Sequence, residues 1–193
     1  MNIRNIRTTV PVASLVLFSL LCVPSLRAAE MVDNPRYAAW AKYKPGSNVS
    51  VTQELGGGNG GKGMTNLIIE RLLDVTPEKA MVEYAITLQM GSAKHTSKRN
   101  VDIPAKVEKG HEELAPDVTG TTKEAGSEKV TIGEKTYDCK IIEFTGESKR
   151  GKASGKVWKT PEIPGGVAKT ETHLEGPRPT TMTMTVTAVD IKS

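Results

Sequence analysis

The sequence predicts a mainly β protein: an antiparallel meander of eight or nine strands, curved into a half-barrel or barrel, with one short N-terminal helix. Three observations predict it. Apolar and polar residues alternate with a period of two over most of the chain after Ser47. The connections between these runs are too short for a crossover helix, so successive strands should be antiparallel. Helical spacing of apolar residues is read in one segment, which opens at Asn34-Pro35.

Pro35 suits the first helical position, where its missing N–H costs nothing. Tyr37, Trp40, Ala41 and Tyr43 then fall on one stripe, and Lys44-Pro45-Gly46 stops the helix. In residues 47–55, Val49, Val51 and Leu55 share one face and Asn48, Ser50, Thr52 and Glu54 the other. Residues 56–63 are a Gly-rich connector. Residues 65–75 fit a strand through Leu67, Ile69, Leu73 and Val75; Leu67, Ile68 and Leu72 also fit a helical stripe, and the strand is preferred. Thr76-Pro77-Glu78-Lys79 is a turn with Pro77 where a fixed φ is wanted.

The clearest strand is residues 80–90, with Ala80, Val82, Tyr84, Ile86, Leu88 and Met90 on one face. A polar loop follows over 91–98. Val101, Ile103, Ala105 and Val107 indicate another strand, and Pro104 within it argues for a sheet edge. Residues 109–128 read as a long exposed loop. Val130–Ile132 and Thr136–Glu147 form a hairpin about Gly133-Glu134-Lys135. Within it Tyr137, Cys139 and Ile141 share a face while Phe144 falls on the other, which a bulge near Ile141–Ile142 would reconcile. Lys156–Thr160 is a short strand with Trp158, Ile163-Pro164-Gly165-Gly166 turns into residues 167–174, and 180–191 close the chain. There Met182, Met184, Val186 and Ala188 alternate with Thr181, Thr183, Thr185 and Thr187. One apolar face per strand predicts a curved sheet covered on one side and wet on the other.

Residues 1–29 read as a signal peptide and 30–193 as a single β-rich domain. Arg4 and Arg7 precede an apolar run from Val10 to Val23, and small residues lie near Ala28 and Ala29, where cleavage is expected. The run is shorter than the roughly 20 residues of a spanning helix, so no transmembrane span is expected in the mature chain. Cys22 invites a lipoprotein reading, but Leu20 and Leu21 precede it where small residues are wanted. The expected location is therefore outside the cytoplasm, periplasmic or secreted.

The chain has 26 Lys and Arg against 22 Asp and Glu. Three of the basic residues (Arg4, Arg7, Arg27) and none of the acids lie in the first 29, so the mature balance is 23 against 22. That near-neutrality removes the main support for nucleic acid as a partner. One cysteine, Cys139, remains after cleavage, so no intramolecular disulfide can form. On an alternating strand it reads as a small core hydrophobe, with an intermolecular disulfide as the alternative.

Motifs for chemistry are sparse. Gly56, Gly61 and Lys62 nearly spell a phosphate-binding loop, but Gly63 stands where Ser or Thr would hold magnesium. His95, His111 and His173 are dispersed, and no nucleophile elbow is present. No cofactor is implied and no enzyme activity is expected. Met182-x-Met184 offers two thioethers on one strand face, a soft set suited to Cu(I). With His173 and Trp158 it resembles the Met-x-Met, His and Trp set of small periplasmic copper chaperones. An ordinary amphipathic strand gives the same pattern. Lys149, Arg150, Lys152 and Lys156 make a basic turn that reads first as a solvated hairpin tip.

Trp40, Tyr43-Lys44-Pro45-Gly46-Ser47 and Val49 carry a wider likeness, as do Gly126, Val130, Gly133, Lys135, Tyr137 and Cys139. Val157-Trp158 and Ile163-Pro164-Gly165-Gly166-Val167 continue it. In these residues the chain resembles small exported β-rich proteins of Gram-negative bacteria with no assigned function. The helix-plus-meander layout is also similar to the half-barrels of periplasmic lipoprotein carriers. The resemblance implies an envelope location and brings no activity with it.

Two functions follow as expectations. The first is a binding module whose apolar sheet face holds a lipid or other hydrophobic molecule, with Tyr37, Trp40, Tyr84 and Trp158 as ligand-facing residues. The second is a non-catalytic structural or interaction domain whose partner is an envelope protein. An unfilled apolar cavity separates the first from the second. The Cu(I) set of Met182, Met184 and His173 is the minor alternative, and oligomeric state is open.

Overall fold

The computed structural model describes residues 30–57, 63–90, 93–109, 118–148, 151–176 and 179–192. Residues 1–29, expected to be a signal peptide and including Cys22, the center of the Gly-rich connector, His111, and Lys149 with Arg150 of the basic turn lie outside the described residues. Among the described residues there are one helix, α1 (Pro35–Ala41), and eleven strands: β1 (Met31–Asp33), β2 (Asn48–Gly57), β3 (Met64–Val75), β4 (Lys79–Met90), β5 (Ala93–Pro104), β6 (Lys106–Glu108), β7 (Val118–Ile132), β8 (Lys135–Ser148), β9 (Gly151–Lys159), β10 (Val167–Glu175) and β11 (Thr180–Asp190). Nine of them form one antiparallel sheet in the order β5-β4-β3-β2-β11-β10-β9-β8-β7, and β1 pairs with β6 in a small second sheet. The sheet does not close: β5 and β7 are its two edges.

The meander and the short helix are as the alternation predicts, and local chemistry explains why. Asn34 caps α1 by accepting from the Arg36 N–H at 3.0 Å, and Pro35 follows directly. Pro104 sits at the end of edge strand β5, where a missing N–H is harmless.

Three segments differ from expectation. Residues 93–98 are strand rather than loop. They pair with the end of β4, and Thr87 and Thr96 share a cross-strand hydrogen bond of 2.9 Å. Residues 118–128 of the expected long loop belong to β7, paired against the upper half of β8 through contacts such as Thr121 with Thr145. Both are polar edge strands whose exposure masks their pairing from a hydrophobicity reading. The third is the bulge, which lies in β7 between Glu124 and Ser127, opposite Ile141. β8 itself runs in straight register with β9. Its two faces are both used: Tyr137 and Cys139 are buried on one, and Phe144 belongs to the other.

The core is correspondingly two-sided. On the concave face Leu72, Val82, Ala80 and Ile103 of the β3–β5 half pack with Trp40 of α1. Trp158, 5% exposed, pairs with Ile141 and Lys169 and so faces away from its neighbour Val157. It lies under the Lys169 ammonium, 4.6 Å from the ring, and donates to Glu128 at 2.6 Å. The expectation of one wet face is corrected to this extent.

Candidate functional site

The concave face is filled by α1 over one half of the sheet and left open over the other. The helix is tied to β3–β5 on one side. Arg36 donates to the Tyr84 hydroxyl, the Tyr37 hydroxyl donates to the Thr76 carbonyl at 2.7 Å, and Asn34 donates to the Pro104 carbonyl at 2.7 Å. On its other side α1 meets the segment after β9. Gly165 and Gly166 take φ of +78° and +72°, a conformation cheap only for glycine. A Cβ at Gly166 would lie 2.9 Å from Ala39 Cβ, and one at Gly165 would lie 3.1 Å from the Trp40 ring. The Gly-Gly turn thus lets the chain press against the helix, as well as reversing direction.

Beyond the helix lies a cavity of about 1080 Å³. Its apolar wall comes from Val157, Leu174, Met182, Met184, Val186 and Phe144, and α1 contributes Trp40. Register explains the set. Met182 pairs with Thr172 and Leu55, Met184 with Thr170 and Gln53, and Thr170 with Val157, so these side chains share the concave face. Strand alternation predicted the face for Met182 and Met184. It gave no account of which strands would stand away from the helix.

One wall of the cavity is polar. Glu70 of β3 pairs directly with Tyr84 of β4, which pairs with Arg99 of β5. Burial raises the Glu70 carboxyl above its ordinary value, opposed by the Arg36 charge and a hydrogen bond with Tyr84. Burial likewise pushes the Tyr84 phenol up to about 12, with Glu70 adding to the rise and Arg36 opposing it. This cluster latches the helix to the sheet at the cavity's edge. On the far wall, burial lowers the Lys159 ammonium to about 8.

The structure separates the residues singled out in the sequence. Trp40, Met182 and Met184 line the cavity. Tyr37 is spent holding α1 to Thr76, and Tyr84 belongs to the polar latch beside the cavity. Trp158 points to the opposite face. His173 is exposed and meets Thr181 at 3.5 Å, so alternation puts it on the face away from both thioethers. The Met182 sulfur accepts from Gln53 Nε2 at 3.2 Å. Met182, Met184 and His173 are therefore not brought together, and no cluster of three His, Cys, Asp or Glu suited to a metal occurs among the described residues. Lys140, Lys159, Thr170 and Thr172 are cavity residues the sequence reading missed. The alternation of Lys159 with Val157 was the available signal for one of them.

Cys139 is 1% exposed, and burial pushes its thiol up, with Asp138, Glu128 and Glu162 adding to the rise. A maleimide is expected to leave folded protein unmodified at neutral pH and to label it fully after denaturation in urea, read by mass spectrometry. Rapid labeling of folded protein, or a cysteine-linked dimer, would show the thiol to be accessible.

No family model matches the chain, and no curated protein matches it in sequence. Among solved structures it is similar to an exported protein with a YmcC-like fold from Bacteroides fragilis, at TM-score 0.43 and 9% identity over 84% of this chain and 100% of that one. It is also similar to the lipoprotein YmcC from Escherichia coli, at TM-score 0.32 and 14% identity over 72% and 87%. A domain of an outer membrane lipoprotein-sorting protein from Vibrio parahaemolyticus aligns at TM-score 0.28 and 12% identity over 82% and 90%. No helix among the described residues is long and apolar enough to cross a membrane.

Proposed function

We propose that this protein is an exported, non-catalytic binding module that holds a hydrophobic ligand in the concave cavity between α1 and strands β8–β11. The cavity is the observation that carries the reading. Its volume of about 1080 Å³ stands at the top of the usual range for small-molecule sites. Its wall is mainly apolar, with polar groups confined to particular places, as such sites require. An interaction domain would need the same residues packed to interior density, and here α1 covers only half of the face.

The test is native mass spectrometry of protein prepared from the periplasm without detergent, beside a Thr172→Trp variant. Thr172 lines the cavity, and an indole there occupies ligand space without removing a core contact. The expected result is excess mass on the natural protein, lost in the variant while the thermal midpoint stays within a few degrees. A clean mature mass, together with no binding of the neutral probe N-phenyl-1-naphthylamine, would overturn the proposal.

A further inference from the structure

We infer that the cavity takes an uncharged amphiphile, an alkyl chain whose head both donates and accepts hydrogen bonds, such as a primary amide or a glycerol ester. The head sits at a neutral polar band that crosses β10, β11, β2 and β3. This deepens the binding-module reading and rests on it. Thr170, Met184, Gln53 and Asn66 are successive cross-strand partners, so they form one row on the concave face. Thr172 and Met182 pair in the next row of the same face. Both threonines and both methionines line the cavity. The two threonine hydroxyls have no hydrogen-bond partner among the described residues. Gln53 Nε2 donates to the Met182 sulfur at 3.2 Å, and a thioether is a weak acceptor. Gln53 Oε1 accepts from Asn66 Nδ2 at 2.8 Å. Asn66 is 4% exposed, and its Oδ1 has no partner among the described residues.

Polar groups on an apolar face are costly to leave unsatisfied. This band holds two open hydroxyls, an amide N–H spent on sulfur and a bare buried carbonyl oxygen. A few placed polar groups in an apolar wall are what orients a small ligand. Toward α1 the wall continues through Val186 and Val51 to Trp40, which gives the alkyl chain its course. The band itself carries no charge. Several charged groups bordering the cavity are already engaged. Arg36 and Glu70 belong to the latch with Tyr84, Lys140 lies 3.5 Å from Glu124, and Lys169 lies 2.6 Å from Glu171. A charged head at the band would lose its water without meeting a counter-charge. A neutral head exchanges hydrogen bonds with water for hydrogen bonds with hydroxyls and an amide. Hydroxyls and amides both donate and accept, so a head that does the same answers more of the band than an acceptor alone.

The test is displacement of N-phenyl-1-naphthylamine by dodecanamide, monododecanoylglycerol, methyl dodecanoate, dodecanoate and dodecylammonium at neutral pH. Dodecanamide or monododecanoylglycerol is expected to displace it at concentrations about tenfold lower than methyl dodecanoate, which only accepts, and lower than either ion. Comparing the two neutral heads tells an amide from a hydroxylated ester. The double variant Thr170→Val with Thr172→Val should erase the preference while probe binding persists, and Thr170→Ser with Thr172→Ser should retain it. If methyl dodecanoate or an ion matches both neutral heads, the inference falls and the binding module stands. A preference unchanged in the valine variant overturns the placement of the head at the band. If the probe itself does not bind, the inference and the binding module both fall. Should the valine variant fail to fold, the ranking of the five compounds on the natural protein decides alone.

Discussion

Trp40→Ala is expected to cost about 3–5 kcal/mol of folding stability, the usual range for emptying a large buried aromatic site. Trp40 is 0% exposed and packs in the cluster that joins α1 to Leu72 and Ile163. Its indole N–H has no hydrogen-bond partner among the described residues, so it contributes through volume and shape. The ring also backs the Gly165 turn, where a Cβ would approach it within 3.1 Å. Removing it leaves a void that this rigid turn cannot close. Urea denaturation at equilibrium would measure the cost. A loss below about 1 kcal/mol would show that the helix contributes little to the core. Because Trp40 also lines the cavity, the same variant should weaken uptake of N-phenyl-1-naphthylamine. Loss of stability with unchanged uptake would remove α1 from the ligand site and leave it a purely structural cover.

Gly155→Ala is expected to destabilise by about 1–3 kcal/mol, an overpacking cost at a position with no room for a methyl group. Gly155 pairs with Phe144 across β8–β9 and with Thr172 across β9–β10. A Cβ there would collide with the Glu171 carbonyl oxygen and lie 2.9 Å from the Phe144 ring. An aromatic laid over a strand glycine is a recurring way of pinning register, and here it holds the wall of the cavity. The double variant G155A/F144A separates the two contacts. It removes the ring but leaves the backbone collision, so it should not recover the stability of the natural protein. Full recovery would show that the side chain, and not the β10 backbone, excludes the methyl group. Denaturant midpoints of the three proteins decide between these outcomes.

Much of the architecture was legible because strand alternation is a local property. Residues 80–90 and 180–190 announce themselves through apolar residues at every second position, and Pro35 announces the helix by suiting its first position. The polar edge strands were not legible. In β5, residues 93–100 are exposed throughout, so hydrophobicity carries no period there. What orders them is backbone pairing with β4, which any sequence without Pro can make. Phe144 shows the same limit. It looked misplaced beside Tyr137 and Cys139 only on the assumption that one face of the strand is buried. β8 buries Tyr137 and Cys139 on one face and half-buries Phe144 on the other, where it lines the cavity.

Local pattern was enough for a β meander, a short helix opening at Asn34-Pro35 with Trp40 on its apolar stripe, and the shared face of Met182, Met184 and Val186. Which stretch of that face α1 covers and which it leaves as a cavity followed from long-range packing. It also decided that Trp158 and His173 would turn away from the face while Lys159 and Lys140 met on it. The physical reason is range. Alternation assigns a residue to one of two sides from its immediate neighbours. Sheet curvature and the docking of α1 depend on contacts between residues far apart in the chain, such as Arg36 with Tyr84 and Ala39 with Gly166. No local pattern encodes those meetings.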